Sequence, residues 1–235
     1  EIVIFESNFT KNLFIDNYFS NLESAHVINI GKDEYFDPAK VNLKSSNDFN
    51  HLLEEKFLLC VSHLYPYKNI LRLLEAFKFS YQTVNKPIKL LIAGNKDYTA
   101  YNKLINEKIK ELRLEDSVKL LGPVEKKMLR ILYTKCLFLV FPSPYENFAY
   151  TLIEAMCCGA AIVCSDTTAM PETCGDAALY FDPHNTRDIS KKMIILLRNE
   201  KLRNNLKKLA LAKSKKYPNF KEVSNMTLEI IHNYH

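Results

Sequence analysis

Two glutamates with seven residues between them, Glu146 and Glu154 in ENFAYTLIE, and a lysine in a proline-opened turn, Lys68 in PYKN, carry the chemistry in this chain. Thr151 to Glu154 opens an apolar segment of helical character, behind a polar loop that holds Glu146 and Asn147. The first turn of a helix presents unpaired N–H groups and partial positive charge, so it can hold a phosphate without a basic side chain. Those donors belong to Ala149, Tyr150 and Thr151. Helical side chains lean toward the N-terminus, so Glu154, about one turn in, can accept hydrogen bonds from hydroxyls beside that phosphate. Glu146 sits in the loop in front of it. A phosphate flanked by hydroxyl acceptors suits a sugar nucleotide. Thr151-x-x-Glu154 is also a capping box, whose side chains merely satisfy the helix's own backbone. This segment alone leaves both readings open.

The elements around these residues favour the first reading. Leu137 to Phe141 is a short bulky strand, stopped by Pro142 and Pro144, which cannot donate to a sheet ladder. Gly159 closes the helix, and Ala160 to Cys164 is the next strand. Ile2–Phe5, Ala25–Ile30, Phe57–Val61, Ile88–Ala93, Val118–Leu121 and Ala177–Phe181 read as further strands. Between them lie helical stripes: Lys11 to Phe19, then Ile70, Leu73, Leu74, Phe77 and Tyr81, then Tyr101, Ile105 and Ile109, then Met128, Leu129 and Leu132. After Pro183 the chain reads as helical, ending in a stripe of Val223, Met226 and Ile230. Such alternation predicts an α/β fold with a doubly wound, parallel, Rossmann-like sheet. Ligands of these sheets sit outside the carboxyl ends of the strands. His63 to Lys68, Pro123-Val124 and Glu146 to Glu154 then share one rim, and Lys68 is more than an exposed lysine in a turn.

Composition narrows the function further. The 235 residues suffice for one large domain or two small ones, and a net charge of +5 is too mild to argue for nucleic acid. Six cysteines, mostly in apolar contexts and without a C-x-x-C pair, read as buried reduced thiols of a cytoplasmic protein, not as a metal site. No run reaches the ~18–20 apolar residues of a membrane span. The start, EIVIFESNF, is not a signal peptide and reads like the interior of a longer protein. Lys207, Lys208, Lys213, Lys215 and Lys216 form a solvated face, with peripheral membrane contact as the other reading. G-x-G-x-x-G, Walker and D-x-D motifs are all missing. A diphosphate must therefore be neutralised by side chains and helix ends.

Taken in order, these motifs resemble the retaining glycosyltransferases of family 4, which have the GT-B fold. Glu146-Asn-Phe-Ala-Tyr-Thr-Leu-Ile-Glu154 is similar to that family's paired-glutamate signature. Asn29-Ile-Gly31-Lys-Asp33 resembles its hinge, and Val61-Ser-His-Leu64 with Pro66-Tyr-Lys68-Asn69 its lysine loop. Leu91 to Gly94, Leu121 to Val124, Ala155 to Gly159, and Ser165-Asp166 through Pro171-Glu172 follow in the family's order.

The resemblance implies the C-terminal, donor-binding half of such an enzyme. Residues 1–35 would be the tail of a missing N-terminal domain and a hinge, 36–55 a linker region, 56–200 the nucleotide-sugar-binding domain, and 201–235 C-terminal helices. It implies metal-independent transfer, with retention and without a cofactor, from a UDP- or GDP-sugar to a glycan or lipid-linked acceptor held by the missing domain. That fits bacterial polysaccharide synthesis in the cytoplasm, at the inner face of the membrane, and leaves the isolated fragment inactive. By the same resemblance Lys68 neutralises the diphosphate and Glu146 faces the donor sugar, as the catalytic pair. Ser62, His63, Val124, Phe148, Ala149, Tyr150, Thr151 and Glu154 line the donor, Glu154 at the ribose and Val124 at the base. Three departures stand out. His63 replaces the usual arginine of the diphosphate clamp, and a histidine is fully charged only in acid. Asn147 and Ala149 stand where glycines are common. A non-catalytic nucleotide-sugar-binding module is the alternative, followed by an epimerase or phosphorylase on a related scaffold.

Overall fold

A computed structural model describes residues 2–18, 24–40 and 53–233. Near the start, β1 (Val3–Phe5) and β2 (Ala25–Val27) pair in parallel as a small separate sheet, with α1 (Asn8–Tyr18) between them. The main sheet has six parallel strands: β3 (Phe57–Val61), β4 (Lys89–Ala93), β5 (Val118–Gly122), β6 (Leu139–Phe141), β7 (Ile162–Ser165) and β8 (Ala178–Phe181). Their spatial order is β5-β4-β3-β6-β7-β8. The chain runs outward from β3 to β5, then returns across β3 to β6. The two strands either side of that reversal therefore send their following loops apart, and a crevice opens between them at their carboxyl ends.

Alternation along each strand builds two cores. Phe57 and Leu59 of β3, Leu139 and Phe141 of β6, and Ile162 and Cys164 of β7 point to one face. Leu58, Cys60, Val140 and Val163 point to the other. Both sets are buried, so the strands read as continuous apolar runs, as they must in a sheet covered on two sides. The first face is covered by α4 (Lys126–Lys135), α5 (Tyr150–Cys157) and the short α6 (Met170–Cys174). The second is covered by α2 (Ile70–Val84), α3 (Thr99–Glu111) and α7 (Thr186–Arg198). Helix α8 (Glu200–Ser214) serves both, with Ala210 in one cluster and Leu206 in the other. Burying one such side chain contributes roughly 1.5–3 kcal/mol, so the cores dominate the stability of the sheet.

Three sequence expectations shift. Helix α1 begins at Asn8, not Lys11, because Ser7 Oγ accepts the Thr10 N–H and the distant Glu172 accepts the N–H groups of Asn8 and Phe9. Phe36, expected to open the linker, is buried against the Tyr133 ring at 6.0 Å, and Pro38–Lys40 forms a 3-10 turn. Residues 41–52 of that linker fall outside the described residues, and at its far end Leu53 packs against the first core. The last helix forms as α9 (Phe220–His232), but it has no buried residue: Phe220, Met226, Leu228 and Ile231 are exposed.

Where β3 and β4 end, their loops nearly touch. Gly94 has φ +148°, and a Cβ there would lie 1.9 Å from the Ser62 carbonyl oxygen. Only glycine fits both the dihedral and the gap. Gly94→Ala is expected to cost about 3 kcal/mol or more, and to displace the Ser62–His63 turn. A lowered urea midpoint checks the first effect.

Candidate functional site

The lysine loop leaves β3 and the glutamate loop leaves β6, neighbours at the point where strand order reverses. After β3 the chain makes a 3-10 turn, Pro66–Lys68, preset by proline's fixed φ, and Asn69 follows in the left-handed conformation at φ 63°. Asn69 is the keystone here. Its buried amide Nδ2 donates to the carbonyls of Pro142 at 3.0 Å and Pro183 at 2.8 Å, while its Oδ1 accepts from Arg72. The ends of β6 and β8 are thus tied to the turn that carries Lys68.

From this turn the Lys68 ammonium reaches across the crevice and donates to Glu146 Oε1 at 2.6 Å. The two side chains are only 14% and 15% exposed, so each charge depends on the other. Glu146 is also held through its backbone: its N–H donates to Thr168 Oγ1 at 3.1 Å, and Thr167 Oγ1 donates to the Pro144 carbonyl at 2.7 Å. Thr168 has φ 51°, which turns its hydroxyl toward that loop.

The capping-box reading of Thr151 and Glu154 fails. The residue preceding α5 is Ala149, without a side-chain cap, and Glu154 points elsewhere. Its Oε2 accepts from the Tyr133 hydroxyl at 3.0 Å. The expected backbone donors divide. The Tyr150 N–H is spent on the Phe148 carbonyl at 3.1 Å, in a tight turn made before the helix begins, so Tyr150 drops out as a donor. Among the described residues the N–H groups of Phe148, Ala149 and Thr151 have no hydrogen-bond acceptor. Unmet N–H groups at a helix start can hold an anion.

Glu154 has an unusual acidity. Burial beside Tyr133 pushes its carboxyl up to about 7, against the pull of the Tyr133 hydrogen bond and the Lys126 ammonium. Asp33 stands nearby and is held below the usual carboxylate range. Burial works against that, but Lys126 at 2.8 Å and the Tyr35 N–H outweigh it.

The remaining predicted positions lie on the same rim. Ser62 follows β3, with its N–H on the Ala93 carbonyl, and His63 is exposed with its ring 6.2 Å from Tyr65. Val124 is half-buried beyond β5, against the first core. Phe148 is buried edge-on to Tyr217, so its ring belongs to the core and its backbone N–H is what it could offer a ligand. Asn69, Tyr133 and Thr168 were not expected. Asn69 had a sequence signal, since asparagine tolerates the left-handed turn; Tyr133 and Thr168 act across the fold and had none. Among the described residues no group of three or more His, Cys, Asp or Glu could hold a metal ion. Nor is any helix there long and apolar enough to cross a membrane.

Against this geometry the model of the family described as Glycosyl transferases group 1 matches residues 42–212. The chain belongs to that family. The O-antigen chain mannosyltransferase B of Escherichia coli is 29% identical over 161 residues, 68% of this chain and 42% of its own length. The serotype-specific mannosyltransferase WbdA of the same organism is 29% identical over 211 residues, 85% of this chain and 25% of its own length. The chain thus spans less than half of either relative. HepE of Anabaena, solved in complex with UDP and glucose, superposes with a TM-score of 0.84 at 20% identity, over 99% of this chain and 63% of that one. The fold of this glycosyltransferase group 1 chain is the doubly wound half of a GT-B glycosyltransferase.

Proposed function

We propose that this chain is the donor-binding part of a retaining glycosyltransferase, which transfers sugar from a nucleoside diphosphate sugar without a metal ion. The observation that carries the reading is the Lys68–Glu146 pair beside the open N–H groups of α5, set where the strand order reverses. Without donor, the Lys68 ammonium rests on Glu146. An arriving pyrophosphate offers a stronger partner and takes the ammonium. Glu146 is thereby freed to accept hydrogen bonds from the donor sugar. Glu154 receives the ribose hydroxyls, and the backbone at Val124 lines the base. As the bond to the anomeric carbon breaks, negative charge grows on the leaving diphosphate. Lys68 and the amides of Phe148, Ala149 and Thr151 are already aimed at it, which lowers the barrier.

The acceptor is a glycan or lipid-linked saccharide bound by a preceding domain, and the work is done at the cytoplasmic face of a membrane. The relatives named as mannosyltransferases make GDP-mannose the first donor to try, and the HepE complex makes UDP-glucose the second. A non-catalytic nucleotide-sugar-binding module is favoured by one feature: His63 stands exposed where a second permanent cation would serve the leaving group. Incubating the full-length protein with each donor and a lipid-linked acceptor decides between them. Transfer with the anomeric configuration of the donor, read by proton NMR of the product, supports the proposal. Binding without transfer selects the alternative, and an inverted product refutes the retaining mechanism.

A further inference from the structure

The segment after β7 holds two distant parts of the chain at once. On one side Thr167 and Thr168 grip the Glu146 loop at Pro144 O and Glu146 N. On the other side Glu172, on α6, reaches the start of α1. Its Oε1 accepts from the Asn8 backbone N–H at 2.8 Å and from Asn8 Nδ2 at 2.9 Å, and its Oε2 accepts from the Phe9 N–H at 3.0 Å. Two of the four unpaired donors of a helix start are met by a carboxylate 164 residues away in sequence, at the end of the helix that favours negative charge.

From the start of α1 the path returns to the site. The buried Ser7 hydroxyl donates to the Asn147 carbonyl at 2.7 Å, one residue from Glu146, and the Phe9 ring packs edge-on against Tyr145 at 6.3 Å. The contacts close a ring: Glu146 loop, Thr167–Thr168, Glu172, α1, Ser7, and the Glu146 loop again. Glu172 itself stands on a firm base. The Tyr217 hydroxyl donates to the Thr173 carbonyl at 2.9 Å, and Lys213 Nζ reaches the Glu172 carbonyl at 3.5 Å.

We propose that Glu172 is a positioning residue of the donor site: it clamps the β1–α1–β2 unit onto the rim, and that unit, through Ser7, fixes the loop carrying Glu146. The proposal rests on the role given to Glu146 above. Lys68, in the turn after β3, and Glu154, on α5, stand outside the ring, while the Phe148 and Ala149 amides lie in the loop it holds. The clamp therefore acts first on the placement of Glu146 in turnover and only secondarily on the grip of the diphosphate.

The test uses the full-length protein with Glu172→Gln, Glu172→Asp, Ser7→Ala and the Glu172→Gln/Ser7→Ala double variant. Glutamine keeps one acceptor oxygen but sets an NH2 group against a backbone N–H. Glu172→Gln and Ser7→Ala are each expected to lower kcat about 10- to 100-fold. Affinity for UDP or GDP, by titration, falls less than kcat, by no more than about fivefold, since only the Phe148 and Ala149 amides lie in the loosened loop while Lys68 and the Thr151 amide stand outside it. The double variant falls no further than the worse single, because the ring is already open, and Glu172→Asp recovers part of the loss. Hydrogen exchange at the Glu146 amide, which Thr168 holds, rises about tenfold in both singles, a readout that needs no turnover. Unchanged exchange at Glu146 overturns the clamp whether or not the protein transfers sugar. Additive losses, or nucleotide affinity falling in step with kcat, overturn it as well. A wild-type protein that binds no nucleotide defeats the donor-site reading instead, and the exchange data still decide the clamp.

Discussion

Lys68→Ala in the full-length protein is expected to reduce sugar transfer about 100- to 1,000-fold while the sheet stays folded. Among the described residues the Lys68 ammonium is the side-chain cation in direct contact with Glu146, on the crevice between β3 and β6. In the proposed mechanism its removal withdraws a charged donor from the oxygen on which charge accumulates, so the loss should appear in kcat. A smaller structural cost accompanies it. Glu146, 15% exposed, loses its partner, at about 1–3 kcal/mol. Circular dichroism through a urea titration separates the two effects. Lys68→Arg should rescue little, because a planar guanidinium cannot occupy the place of a compact ammonium held by the Asn69 turn. Wild-type turnover in Lys68→Ala would remove lysine from the mechanism.

Glu154 gives the second large effect, and it depends on pH. Its carboxyl titrates near 7 in the folded chain, against an ordinary value of 4.5. Because the folded value is raised, the contribution to stability is complete below about 4.5 and is lost as pH rises through 7. At pH 8 the unliganded protein therefore holds an ionised carboxylate at a cost, and Glu154→Gln should be more stable than wild type there by about 2 kcal/mol. Ligand binding runs the other way. In the proposed role ribose hydroxyls donate to the ionised form, so affinity for UDP or GDP should rise with pH up to about 7 and then level off. Replacing Glu154 by glutamine should weaken binding about 10- to 100-fold at pH 8, with little further loss when the 2′-hydroxyl is also removed. Calorimetry in two buffers of different ionisation enthalpy detects the proton released below pH 7. A flat affinity profile between pH 5.5 and about 8 would contradict the ribose role.

The main sheet was legible because each of its strands is an apolar run bounded by glycine, proline or a polar turn, and because helical stripes separate them. That alternation forces parallel strands, and parallel strands put Lys68 and Glu146 on one edge. What stayed hidden was contact made across the sequence. Glu172 sits in Pro171-Glu172 with no local partner to suggest that it caps a helix beginning at Asn8. Tyr133 is an aromatic on a buried helix face, and nothing in its spacing shows a hydroxyl aimed at Glu154. Phe36 looked like linker because its neighbours are polar, yet one buried ring is enough to fasten a segment to the core. The capping-box alternative fails for a related reason: a four-residue pattern records what the side chains can do locally, and the Tyr133 hydroxyl, not the helix's own backbone, holds the glutamate.

Everything in the account comes down to whether this rim holds a pyrophosphate. Titrating UDP and GDP into the protein at pH 8 by isothermal calorimetry, beside uridine and guanosine, asks that directly. One of the two diphosphates should bind, its nucleoside should bind at least about 100-fold more weakly, and Lys68→Ala should erase most of the difference. Equal binding of diphosphate and nucleoside, or no binding of either diphosphate at millimolar concentration, would contradict it.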